Sequence, residues 1–382
     1  MTRSRYVFML AFLIASGLAA QTHCTPQQAE SKHGEWVHAD DDLAMGDRTF
    51  PRSQYPVLLR KADRVIELLK QANPAPTGIQ AKAYRSVRGD SYTKDGPVPF
   101  GMNSLYLSYY CVPDSPQYGA KRGTIRPEDE TGTWIYVSFN SIGWLSQEWI
   151  SGVLHKPNGA KIFVEPHHAG EFQGTTLYHP TVHNPDLTEA VILTPDGSSP
   201  YKPLSREQYM LAREDRYDRE IADLEKELAS QADHRDRGIA SVAKRTDWNE
   251  ERKAHERETW MKGYASAAAG LANRRQQIES DKAKFAAALD AMPAEERQQR
   301  AIVRDIITMP GDRAQMFVSE EQGGHLLATL EKGAFEPSGA RDIPRIAVVY
   351  WRWTANDTNK KEMIRQFKER FNFNALRQML GN

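Results

Sequence analysis

Between about residues 205 and 305 the chain becomes almost continuously polar and charged, and it does so at helical spacing. Such a run does not build a sheet, because its apolar positions recur every three, four or seven residues rather than every second one. From Ser205 to about 235, Tyr217, Ile221, Leu224 and Leu228 mark a narrow apolar seam, and Ser205 with Gln208 reads as a capping box. From about 239 to 291, Tyr264, Leu271, Ile278 and Phe285 recur at seven-residue spacing, helped by Ala268 and Leu289. Arg275 and Lys282 fall on that seam, so a long uninterrupted coiled coil is not indicated. The expectation is an antiparallel helical hairpin turning near HRDRG (234–238). A third helix is expected from Pro293 through Ile302, Val303, Ile306 and Ile307, ending at Met309-Pro310-Gly311-Asp312. A hairpin this charged is either a solvated spacer or an assembly surface completed by another copy or a partner. The short, charge-broken seam favours packing within one chain.

The flanks have a different character. Tyr55–Ala72 carries Val57, Leu58, Ala62, Val65, Ile66 and Leu69 on one helical stripe, and Asn73-Pro74 stops it. Strands are expected at 81–89, 102–112, 132–142 and 160–166, separated by Gly/Pro/Asp turns. After residue 309, QMFVS and RIAVVYWRW (345–353) read as strands, and NKKEMIRQFKERF and NALRQML as helices. The fold class expected is α+β: an antiparallel sheet with a packed helix, for which a cystatin-like arrangement fits, plus the charged helical hairpin as an insertion. The divisions are a signal peptide at 1–20, a flexible leader at 21–50, an α+β domain at 51–202, the helical hairpin or bundle at 203–308, and a strand-helix segment at 309–382. That last segment is too small for a large core and is expected to complete the α+β domain.

The first residues read as a signal peptide. MTRSR is a basic start, YVFMLAFLIASGL is apolar but short for a membrane span, and Gly17, Ala19 and Ala20 suit cleavage near Ala19/Ala20. A retained membrane anchor is the competing reading. Thr22 and His23 ahead of Cys24 argue against lipidation. Periplasmic or secreted localisation follows, with no transmembrane segment once the signal is removed. Cys24 and Cys111 are the only cysteines; they could pair in an oxidising compartment or remain unpaired. With 50 basic and 50 acidic residues, the chain lacks the basic excess of a nucleic-acid binder.

Chemistry is sought first in FVEPHHAGEFQGTTLYHPTVH (163–183). His167, His168, Glu171, His179 and His183 are zinc-binding residue types, and a zinc-like divalent metal is the cofactor they would hold. HHAGE is not HExxH, and Pro180 and Pro185 make a regular helix at the H-x3-H pair unfavourable. A polar loop at a sheet edge is the plainer reading. Ser91-Tyr-Thr-Lys94 matches S-x-x-K but sits in a turn without the partner motifs of acyl-enzymes. No nucleophile elbow, dinucleotide fingerprint, P-loop or EF-hand is present, and paired carboxylates such as Glu128 and Glu130 are uninformative alone. Trp134, Tyr136, Trp144 and Trp149, and later Tyr350, Trp351 and Trp353, are core aromatics or exposed sugar-stacking platforms.

The run VILTPDGSSPYKPLSREQYMLA (191–212) resembles a phrase of uncharacterised exported bacterial proteins. There an LTPDGxSPYxPLSRxxY-type segment leads into a charged helical region and a closing strand-helix unit. The resemblance covers residues 190–382, implies export and this domain order, and transfers no functional residue. The functional expectation is an exported, non-catalytic protein acting by binding or assembly in the periplasm or cell envelope. Its partner would be another copy or an envelope protein, engaged through helices 205–305. A metal-dependent hydrolase centred on the histidines is the alternative, and carbohydrate binding through exposed tryptophans a further one.

Overall fold

The structure is a computed structural model that describes residues 23–43, 50–87, 95–146, 161–180, 187–304, 316–331, 335 and 339–381. The signal segment 1–20, the S-x-x-K tetrapeptide, Trp149 and His183 lie outside these residues. The chain begins with α1 (Pro26–Glu30), β1 (Glu35–His38), α2 (Tyr55–Ala72), β2 (Ile79–Val87), β3 (Phe100–Cys111), β4 (Ile125–Pro127) and β5 (Trp134–Phe139). Short strands follow: β6 (Phe163–Val164), β7 (His167–Phe172), β8 (Thr175–His179), β9 (Thr188–Leu193) and β10 (Tyr201–Pro203). Then come α3 (Arg206–Ala243), α4 (Glu250–Asp290), α5 (Ala294–Gln298), β11 (Ile302–Val303), β12 (His325–Leu330), β13 (Ala347–Arg352), α6 (Thr358–Arg370) and α7 (Phe373–Arg377).

The fold class is α+β. A nine-stranded sheet runs β1-β2-β3-β5-β13-β9-β8-β7, with β4 paired to β3. Its pairs are antiparallel except β1 on β2, which is parallel. β13, from the C-terminal segment, lies between β5 and β9, in the middle of a sheet otherwise built from the N-terminal half. Its period-two pattern serves two cores at once. Ala347, Val349 and Trp351 face the core under α2, α6 and α7, whereas Val348 and Tyr350 face a second core.

Helix α2 covers the first face for a reason visible in its spacing. Tyr55, Leu58, Ala62, Val65, Ile66, Leu69 and Ala72 are all buried, against β2 and β3. Fully burying a leucine or valine contributes about 1.5–3 kcal/mol, so this face anchors the helix. Leu58→Ala, at a fully buried position, would cost roughly 2–5 kcal/mol. The opposite face of the main sheet meets a smaller sheet, in which β12 pairs with β6, β10 and β11, through Phe163, Tyr178, Tyr201 and Tyr350. Beyond the smaller sheet, a third core joins Ile162, Val164, Val303 and Leu327 to the base of α3 and α4.

α3 and α4 form the expected antiparallel hairpin, with the Ser205–Gln208 capping box at its start. Its turn is not at HRDRG but at residues 244–249. Gly238 lies within α3, where its missing side chain leaves room for the Trp260 ring, and Val242 one turn later is buried in the seam. Asn249 then caps α4, its side chain accepting the Arg252 amide at 2.9 Å. The third helix is much shorter than expected: Pro293 is its N-cap, it ends at Gln298, and Ile302–Val303 pair antiparallel with β12. Two adjacent β-branched residues beside an open strand favour pairing over another helical turn.

The histidine-rich stretch, read as a polar loop at a sheet edge, is over residues 167–179 the hairpin β7–β8. Its two-residue turn is Gln173-Gly174, with φ of 49° and 73°. Both central residues are left-handed, as a type I′ turn requires, and the glycine makes the second costless. The described parts of the leader join the fold. β1 extends the sheet, Trp36 donates to the Asn73 carbonyl at 2.9 Å, and Cys24 is disulfide-bonded to Cys111.

Candidate functional site

The β7–β8 hairpin forms one edge of the main sheet and carries four of the five sequence-predicted ligands. His167 and His179 are direct cross-strand partners, as are His168 and Tyr178. Directly opposed residues share a face with their Cβ atoms about 5 Å apart. A register shift between His168 and Gly170 then separates the histidine pairs from Glu171, which stands opposite Thr176 and is exposed.

Each histidine already has a neighbour. His167 Nδ1 is 3.3 Å from the Glu320 carboxylate, and His179 Nδ1 donates to the Thr188 carbonyl at 3.0 Å. His168 Nε2 lies 3.0 Å from Glu165 and its ring stands edge-on to Tyr178. Among the described residues no three His, Cys, Asp or Glu side chains are grouped so as to share a metal ion. The hairpin therefore brings His167 and His179 together and leaves His168 and Glu171 elsewhere.

Glu165 is the unexpected member of this edge. It is only 5% exposed, its backbone amide donates to Leu326, and its second carboxylate oxygen accepts from Arg300 Nη2. The carboxylate thus links the edge hairpin, through His168, to the β11 approach. Burial pushes the Tyr178 hydroxyl above its ordinary range, and the Glu165 charge adds to that. Nothing local in the chain marks Glu165, because its partner Arg300 is 135 residues away.

The aromatic candidates divide by depth. Tyr350 and Trp351 are fully buried on opposite faces of β13, so no exposed platform exists at that pair. Trp134, Tyr136 and Trp144 are half-buried; Tyr136 stacks on Trp134 and on Tyr350 and meets Trp144 edge-on, with Arg352 over Trp134.

A cleft of about 410 Å³ lies where Phe172 and Glu189 meet Trp353 and the α6 residues Lys361, Arg365 and Lys368. Much of its polar capacity is spent internally. Glu189 accepts from Lys368 and from the Trp351 indole, both at 2.8 Å, while Arg365 is clamped by Glu362 and Glu369. The Arg365 clamp holds the Glu362 carboxyl down at about 2.

The arm formed by α3 and α4 differs. At 38 and 41 residues, the helices are each about 60 Å long at ~1.5 Å per residue. The base is packed. Tyr217, Leu224, Ile278, Phe285 and Leu289 are buried there, and the charged seam residues are paired across the helices, Arg275 with Glu225 at 2.8 Å and Lys282 with Asp218 at 2.5 Å. Farther out the only buried positions on either helix are Gly238 and Val242. This outer part nevertheless carries Trp248, Trp260 and Tyr264. Trp248 lies between the guanidinium groups of Arg245 and Arg252, at 4.7 and 4.3 Å. A second cleft, of about 430 Å³, opens between Gln231, His234 and Arg235 of α3 and Glu256, Trp260 and Tyr264 of α4. No family model, curated protein or solved structure matches this chain.

Proposed function

We propose that this is an exported bacterial protein that works without catalysis, by binding or assembly in the periplasm or cell envelope, and that the arm is the part that binds. One observation carries the reading: the arm continues well beyond its packed base and places tryptophan, tyrosine and arginine where they add little to the protein's own core. These are the residue types enriched at binding hot spots. The Cys24–Cys111 disulfide supports export, since such bonds persist in oxidising compartments. Another copy or an envelope component is the partner class. The test is expression of the full chain in a bacterial host, osmotic-shock fractionation, and light scattering across a concentration series. Release with the periplasm, together with concentration-dependent mass or retention on washed envelopes that weakens in Trp248→Ala/Trp260→Ala, is the expected result. A cytoplasmic protein, or a monomer never retained on envelopes, sinks the proposal.

The second reading is a metal-dependent hydrolase, favoured by the cross-strand pairing of His167 with His179. His183 would have to complete the set. Near-stoichiometric zinc in untagged protein, lost in His179→Ala/His183→Ala, would move this reading to first place. Metal-free folded protein, unable to take up added zinc, would remove it.

A further inference from the structure

We infer that the cleft between α3 and α4 at Trp260 is a binding site for a glycan strand. This rests on the proposal that the arm binds, and it names the ligand class. The indole is held from one side: a Cβ on Gly238 would come within 2.5 Å of its ring, so the ring lies against the α3 backbone. His234 meets the ring edge-on, with centroids 5.1 Å apart, and the indole remains half-exposed to the cleft. At the base of the arm, Leu224, Ile278 and Phe285 fill the seam with ordinary apolar side chains. At Trp260 a glycine instead leaves room for a large ring whose surface stays accessible.

The cleft also retains hydrogen-bonding capacity. Among the described residues the side chains of Gln231, His234 and Glu256 have no hydrogen-bond or ion-pair partner, in contrast to the spent groups of the α6 cleft. An amide, an imidazole and a carboxylate offer both donors and acceptors. No aliphatic side chain lines this space. Arg235 donates from Nε to Asp236 at 2.7 Å and its guanidinium lies over the Tyr264 ring, 4.3 Å from the centroid, so the arm itself partly engages the cleft's cation. A sugar ring suits both features: its C–H face stacks on an aromatic ring, and its hydroxyls exchange hydrogen bonds with planar polar side chains. The volume, about 430 Å³, falls within the range of small-ligand sites, roughly 300–1,000 Å³.

The test titrates the full chain with two soluble probes, the tetramer of β-1,4-linked N-acetylglucosamine and cellotetraose. Tryptophan fluorescence and calorimetry are read in parallel. Saturable binding of at least one probe in the micromolar to millimolar range is expected. Trp260→Phe and Glu256→Gln should each weaken it about tenfold, which is ~1.4 kcal/mol. Lys361→Ala, in the α6 cleft, should leave it unchanged. Glu256→Gln keeps the test valid if Trp260→Phe disturbs the arm, because it is an isosteric change at a half-buried side chain. Absence of saturable binding for both probes overturns the inference, as does binding indifferent to both arm variants. Envelope retention without glycan binding would leave the arm as the binding element and point to a protein or lipid partner, so the two failures are distinguishable.

Discussion

The Trp260 indole lies on the backbone of Gly238, so close that a methyl group at position 238 would stand 2.5 Å from the ring. Two effects oppose each other in Gly238→Ala. Alanine is better than glycine inside a helix by about 1 kcal/mol. Forcing a methyl group into a filled contact costs typically 1–3 kcal/mol, and here its neighbour is a rigid ring. The clash should win by about 1 kcal/mol. Hydrogen exchange should therefore accelerate around residues 234–242 and 257–264 while the sheet is unaffected. The double variant Gly238→Ala/Trp260→Ala should recover protection. Faster exchange in the double variant than in Gly238→Ala alone would show that the ring contact is not the cause.

Glu165 gives a second prediction. Removing one member of a buried ion pair costs about 3–5 kcal/mol, because the other charge is stranded. Arg300 is 32% exposed and can find water, so Glu165→Ala should cost less, about 2–3 kcal/mol. Glu165→Ala/Arg300→Met should be milder than Glu165→Ala alone. Urea denaturation midpoints of the three proteins decide this, and an equally damaging double variant would mean that packing rather than charge dominates.

Much of this architecture is legible in local pattern. The α2 stripe matches its buried face except at Val57, which is half-buried, the capping box at Ser205 forms, and RIAVVYWRW becomes a central strand buried on both faces. What the pattern does not reveal is set by distant partners. The expected turn at HRDRG is instead continuous helix, where the Trp260 ring of the opposite helix packs on Gly238. Ile302 and Val303 continue a helical spacing, but β12 offers them a strand to pair with. Arg275 and Lys282 interrupt an apolar repeat and are accommodated by acids some fifty to sixty positions earlier. The same holds for the sites: histidine types are visible in the sequence, whereas Glu165 and the Trp260 cleft exist only once separate segments meet.

A pH dependence follows from Asp41. Its carboxyl is held below the ordinary aspartate value chiefly by the hydrogen bond from Arg85, which grips it with Nε at 2.9 Å and Nη2 at 2.6 Å. A carboxylate with a depressed folded-state pKa contributes stability that is fully present above its unfolded value, about 3.9, and lost as pH falls through the folded value. Stability should therefore drop below about pH 4. Arg85→Gln should be less stable at pH 7 and show a shallower loss between roughly pH 4 and 2. Parallel curves for the two proteins in urea melts over that range would remove Asp41 from the account.

The disulfide between Cys24 and Cys111 closes a loop with a sequence separation of 87. By chain entropy, a cross-link over a loop of that length stabilises the folded state by about 4–5 kcal/mol, mostly by restricting the unfolded chain. The N-terminal segment has other attachments. Trp36 packs edge-on to Tyr106, Glu35 accepts from the Tyr109 hydroxyl at 2.8 Å, and Arg85 holds Asp41. Cys24→Ser/Cys111→Ser should therefore melt well below the wild type yet keep the same far-ultraviolet spectrum, and added reductant should bring the wild type down to it. A reductant-insensitive melting temperature would mean that the bond does not form in the folded protein, which would also withdraw its support for an oxidising compartment. A variant that melts low with β1 exchanging fast, while the central strands stay protected, would instead show that the bond's main effect is local to the leader.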